Sequence, residues 1–274
     1  MPNPKQLPSL LRLLDDDSPF VRKAVMRELS AFGADLEREI EQLDQPLEPP
    51  ARRALDFLLA EQRRVALRRT WPGWQLLYGD KAKLEAAHSL LADFQVARGQ
   101  TQQLGALLDV LASEYLHAHR SPSIDSLVHF LFVEKDLQGA RADYYSPRHS
   151  NLVAVLEDGR GLPISLACIL MLVGHRTGLD IQGCNFPGHF LARVQAGDRM
   201  VLIDCFNRGK TIDPLMLLAA NPQAKSELTE IFSYAPPAEL IIARVLRNLV
   251  RAYESVDDAA NRDLMHSLLK QMVD

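Results

Sequence analysis

The sequence has few cysteines, no long apolar run and no large excess of either charge, and each scarcity closes off a class of protein. Three cysteines in 274 residues, an odd number with no secretion signal, exclude a disulfide framework and fit reduced thiols in the cytoplasm. The longest apolar run, 162–174, is too short to span a bilayer and contains Pro163 and Ser165. Leu7 to Leu14 runs straight into Asp15-Asp16-Asp17 with no small-residue cleavage site, so no leader is expected. A net charge of −4 implies neither a strongly basic surface nor an acidic tail. Arg63, Arg64, Arg68 and Arg69 make one basic helix end, and Arg244, Arg247 and Arg251 make a second basic face. Aromatic residues are not interleaved with them, so both read as solvated helix faces, with no nucleic-acid or membrane partner expected.

What is present is enough apolar material, 47% of the chain, for two domains and a substantial core. Leu7, Leu10, Leu11 and Leu14 form one helical stripe; Val21, Ala24, Val25 and Leu29 form a second, which ends at Gly33. Ser18 and Pro19 supply an N-cap and a first-turn proline for the second helix, which makes the pair an αα-hairpin. Its wording, LLRLLDDDSPFVRKAVMRELSAFG, resembles one HEAT repeat, with Asp16, Val21 and Arg22 in the turn pattern. A single repeat cannot bury its own face, so it must stack on other helices. Segments 37–43 and 51–70 offer them, separated by the proline-rich stretch 45–50. Trp71-Pro72-Gly73-Trp74 then marks a boundary, with the tryptophans anchoring it on apolar surface, so that residues 1–74 form a helical N-domain.

Helical spacing resumes over 84–96, 103–117 and 123–133, and a Tyr144-Tyr145-Ser146-Pro147 turn leads into a short helix near 152–156. A helix over 214–220 and a final pair, 239–254 and 258–272, close the chain. Between them lies the segment that carries chemistry. Pro163 suits a first helical turn, Ile164, Ala167, Cys168, Met171 and Leu172 make an apolar stripe, and Gly178 fits the left-handed position after the helix. Strands are expected at 180–185, 189–195 and 199–206, with Ala196-Gly197-Asp198-Arg199 as the hairpin turn. A two- or four-residue loop sets Asp204 opposite Leu191 and His189 opposite Phe206, so His189 and Asp204 become diagonal neighbours on one face. A three-residue loop would separate them. A carboxylate fixed on one imidazole nitrogen frees the other to take a proton from a nucleophile. The pair also reads as a polar hydrogen bond serving the sheet alone.

The landmarks SLVHFLFVEKDLQGARADYYSPRHSNLVAVL, GLPISLACIL, NFPGHFLARV and LIDCFN, between about residues 84 and 217, together resemble the SirB-type bacterial transglutaminase-like family of the papain-like transglutaminase superfamily. The resemblance implies an α+β fold, mostly helical with a small antiparallel sheet, over 75–235, and a C-terminal helical pair, 236–274, packed on it. Active members open the central helix with Gly-x-Cys, and Gly161 and Gly178 match that frame without a gap, which puts the cysteine position on Pro163. The triad histidine and aspartate carry over onto His189 and Asp204. The Gly-x-Pro-x-Ser form is similar to the SirB-type branch in general. His149 stands where relatives have asparagine, and Arg208 where they have glycine, so the group bound near that corner is expected to differ.

Two residues compete for the vacant role of nucleophile. Ser165 lies about 200° around the helix from Pro163 and reads as a first-turn residue satisfying a backbone N–H. Cys168 sits on the apolar stripe and reads as core. Cys184, His189 and Cys205, spaced by 5 and 16 residues, match no zinc signature, and Cys205 should face away from His189 and Asp204, so neither metal nor cofactor is expected. The reading is a transglutaminase-like module without its usual cysteine that binds a protein or peptide partner. The alternative is a hydrolase or acyltransferase using Ser165 or Cys168 with His189 and Asp204.

Overall fold

The computed structural model describes residues 3–33, 36–43, 49–95, 103–197 and 199–272. Two compact units divide between Trp71 and Pro72. The first contains helices α1 (Leu7–Arg12), α2 (Pro19–Ser30), α3 (Leu36–Glu41) and α4 (Pro49–Thr70). The expected stripes meet here: Leu7, Leu11, Leu14, Val25 and Leu29 are buried with Leu36, Leu55 and Leu58. Ser18 holds the N-cap position of α2, but its hydroxyl makes no cap bond; Asp16 instead accepts the Ser18 N–H through its side chain. Part of the proline-rich stretch, 45–48, lies outside the described residues, while Pro49 and Pro50 open α4.

The second unit is α+β. It begins with a 3-10 turn around the buried Trp74 and continues through α5 (Asp80–Gln95) and α6 (Leu104–Ala118). Val96, expected at the end of α5, lies outside the described residues. The helix expected over 123–133 divides into α7 (Ile124–His129), opened by a Ser123–Ser126 capping box, and a π turn at Phe130–Glu134. A two-residue parallel ladder, β1 (Gln138–Gly139) with β2 (Arg160–Gly161), brackets α8 (Leu152–Asp158).

Helix α9 (Pro163–Arg176) is the centre of this unit. The expected stripe understates it, because every residue from Pro163 to Gly174 is buried. A helix apolar all round belongs inside a core rather than on its edge. It stops where Gly178 takes a φ of 79°: the Leu179 N–H reaches the Gly174 carbonyl and the Gly178 N–H reaches that of His175, a Schellman stop. Against α9 lies a four-stranded antiparallel sheet of β3 (Gln182–Cys184), β4 (Leu191–Ala196), β5 (Arg199–Asp204) and β6 (Lys210–Ile212), in that order. The β4–β5 register, Ala192 opposite Ile203 through Ala196 opposite Arg199, is the one a two- or four-residue loop requires. Asp198 of that turn lies outside the described residues.

The sheet's other face, with Cys184, Leu191 and Leu202, packs on α10 (Pro214–Ala220) and α11 (Lys225–Ser233) through Leu217, Leu218, Leu228 and Phe232. Helices α12 (Ala238–Ser255) and α13 (Ala259–Lys270) pair with each other, and α12 also packs on α5 and α9. Asp80 accepts the Ala238 N–H at 3.0 Å and Lys83 pairs with Glu239 at 2.6 Å, which fixes the start of α12 to the start of α5. No helix among the described residues is long and apolar enough to cross a membrane.

Candidate functional site

Asp204 ends β5 and caps the 3-10 turn that follows, Cys205–Asn207. Its Oδ1 accepts from His189 Nε2 at 2.9 Å and from the Asn207 N–H at 3.2 Å, and its Oδ2 accepts from Asn207 Nδ2 at 2.7 Å. Asp204 is buried, and burial alone would raise its pKa; the hydrogen bonds from His189 and Asn207 outweigh that and hold the carboxyl below its ordinary value. A carboxylate only accepts, so His189 carries a hydrogen on Nε2 and presents Nδ1 as its remaining ring nitrogen. His189 sits just before β4, after the left-handed Gly188, and its ring meets Phe206 edge-on at 6.1 Å between centroids. Phe206 in turn lies flat over Gly139, where a Cβ would come within 2.5 Å of three ring carbons.

His189 opens onto a cleft of about 570 Å³. One wall is the start of α9, Leu162, Pro163 and Ile164; a second is the turn from Asn185 to Phe190. The remaining walls are Tyr144 and Tyr145 and one face of α12, with Arg244, Arg247, Asn248, Arg251 and Ala252. The structure therefore brings His189, Asp204 and Pro163 to one place.

It does not bring the two substitute nucleophiles there. Ser165 is fully buried, and its hydroxyl donates to the carbonyl of His149 at 2.8 Å rather than satisfying a backbone N–H of its own turn. The Leu162 N–H reaches the same carbonyl at 3.1 Å, so His149 pins the start of α9 through its main chain. The His149 imidazole does not line the cleft. Cys168 is fully buried and its thiol is pushed up to about 12 by burial, with Lys81 nearby opposing the shift. Burial also pushes Cys184 up to about 11 and Cys205 well above its ordinary value. Among the described residues no group of three His, Cys, Asp or Glu side chains is placed to hold a metal ion.

Residues 99–247, more than half of the sequence, match the transglutaminase-like superfamily. The chain belongs to that superfamily. Among similar proteins, the UPF0162 protein of Xylella fastidiosa strain Temecula1 is 34% identical over 179 residues, covering 59% of this chain and 63% of its own. The UPF0162 protein of Pseudomonas aeruginosa is 34% identical over 113 residues, covering 41% and 42%. The human F-box only protein 21 is 28% identical over 101 residues, 34% of this chain and 16% of its own. The chain thus spans less than two thirds of the length of the curated relatives it matches. No solved structure matches it significantly.

In this transglutaminase-like unit, sequence reasoning missed the cleft wall that α12 supplies. Arg244, Arg247 and Arg251 recur at intervals of three and four residues on α12 and were read as a solvated helix face; Arg247 and Arg251 are exposed, and all three also line the cleft. Their helical spacing was visible in the sequence, but not the Asn185–Phe190 turn and tyrosine pair that close in around them. Arg208 takes the left-handed conformation, φ 58°, that suits a glycine there, and its guanidinium pairs with Asp136 at 2.5 Å.

Proposed function

We propose that the chain is a SirB-type transglutaminase-like module without catalytic activity, which uses the cleft beside His189 to hold a protein or peptide segment, with a HEAT-like repeat at its N-terminal end. The carrying observation is Pro163 in the cleft wall beside an intact His189–Asp204 pair. Acyl transfer by the superfamily's route needs an atom that attacks a carbonyl carbon and later leaves it. Proline at the position that the resemblance assigns to the thiol offers none. Without a nucleophile to deprotonate, the oriented imidazole becomes a recognition group: in its neutral form Nδ1 accepts a hydrogen bond from a ligand N–H or O–H, and Asp204 keeps the ring in that tautomer.

The enzyme alternative asks Ser165 to give up its bond to the His149 carbonyl, or Cys168 to ionise where burial holds the thiol at about 12. Both costs favour the binding reading. The folded protein is expected to show no turnover of amide or thioester substrates and no labelling of Ser165 by a fluorophosphonate or of Cys168 by iodoacetamide at neutral pH. Turnover that disappears in His189→Ala, or a label on either side chain that weakens in Asp204→Asn, would overturn the proposal.

A further inference from the structure

We infer that the cleft selects an extended acidic peptide, with carboxylate side chains at alternate positions set against Arg247 and Arg251; this rests on the peptide-binding reading above and names what that site takes. Five arginines of this unit have a carboxylate of their own among the described residues: Arg148 pairs with Asp158, Arg160 and Arg208 with Asp136, Arg176 with Glu85 and Asp109, and Arg262 with Asp263. Arg247 and Arg251 are exposed, and neither has an acidic partner within ion-pair distance among the described residues. No aspartate or glutamate lines the cleft, although acidic residues outnumber basic ones 35 to 31 in the chain.

Arg244 plays a different part. Its guanidinium donates to the Asn185 side chain, to the Phe186 carbonyl at 3.3 Å and to the His189 carbonyl at 3.0 Å, and it lies over the Phe190 ring. That arginine holds the turn carrying His189, which leaves the other two for a ligand. Positive potential reaches the tyrosines as well: burial and Tyr145 raise the Tyr144 phenol above its ordinary value, while Arg244 and Arg251 pull against the rise.

Geometry favours an extended peptide over a compact anion. Four residues of α-helix advance about 6 Å, and alternate side chains of an extended strand stand about 7 Å apart on one side. A peptide lying along α12 therefore brings residues i and i+2 opposite Arg247 and Arg251, in a cleft that Tyr144 and Tyr145 also line. Bidentate pairing of guanidinium with carboxylate supplies the selectivity.

Fluorescein-labelled octapeptides carrying Glu, Gln or Lys at alternate positions, titrated with the full chain and followed by anisotropy, test this directly. The Glu peptide is expected to bind about tenfold more tightly than the Gln peptide at low salt and to weaken as salt rises. The double variant R247E/R251E, altered only at exposed side chains, is expected to lose that preference and favour the Lys peptide. Equal binding of all three peptides, weakened by Tyr144→Ala but not by the arginine variant, would overturn the acidic preference and leave the peptide-binding reading standing. Binding of none would sink both, and tighter binding of inorganic phosphate or a single-stranded oligonucleotide than of the Glu peptide would assign the arginines to a different ligand.

Discussion

Asp204 carries three hydrogen bonds on two oxygens, and two of them come from Asn207, three residues further along. An amide in its place would turn an N–H₂ towards one of these donors and remove the charge from the rest. Asp204→Asn is expected to cost roughly 2–3 kcal/mol in denaturant unfolding, the range for buried charge-assisted bonds. The same substitution should release the His189 tautomer, visible as a shift of its imidazole resonances. Gly139→Ala tests the second support of that ring. The added methyl would strike Phe206 at 2.5 Å, and the displaced ring would no longer hold its edge-on contact with His189. A loss of about 1–3 kcal/mol is expected, the usual cost of overpacking, together with a change in the same imidazole resonances, although residue 139 does not line the cleft.

At the scale of the element, α9 decides what the site can be. Its first residue faces the cleft, and its Cys168 faces the core. Pro163→Cys is therefore expected to create the one thiol that iodoacetamide reaches through the cleft at neutral pH, since the three native cysteines are buried and none of them lines it. The helix N-terminus and His189 both favour a thiolate at residue 163, so labelling should slow in the Pro163→Cys/His189→Ala double variant; peptide mapping of the label checks both points. Replacing a first-turn proline should cost little stability.

This helix was legible in the sequence because Pro163 and Gly178 mark its ends by backbone chemistry that needs no partner. The β4–β5 register was legible for the same reason: Gly197 in the turn, with φ 61°, and strict alternation fix it locally. Strand β6 and the β1–β2 ladder are two or three residues each, too short for alternation to show; β1 and β2 also meet only across the length of α8 and its flanking turns, while β6 pairs with the adjacent β5. The basic face of α12 was legible, and Arg247 and Arg251 are exposed on it, but helical period gives only the spacing of side chains and says nothing about which loops border them.

For the whole molecule, acid stability should fall in two separable steps. His88 is fully buried on α5 with neither ring nitrogen hydrogen-bonded among the described residues, and burial lowers its pKa to about 4. Its unfolded value is higher, about 6.5, so the unfolded chain takes up the proton first. Stability is lost as pH falls from about 6.5 and the loss is complete near 4, worth roughly 3 kcal/mol. Asp204 acts in the same sense but at lower pH. Its folded pKa lies below the ordinary 3.8, so its contribution is intact above that value and disappears only as pH falls through the lower folded one. Urea titrations across pH should show His88→Leu abolishing the upper step and Asp204→Asn the lower.

Helix α9, buried from Pro163 to Gly174 with only its first turn meeting the cleft, has a kinetic consequence for the site it supports. Enclosed main chain that cannot fray from one edge trades its amide hydrogens with deuterated solvent only when the entire unit opens. The ground beneath His189 is thus as durable as the fold itself, and whatever yielding accompanies an incoming ligand must come from the tyrosine turn and the arginine side chains above it.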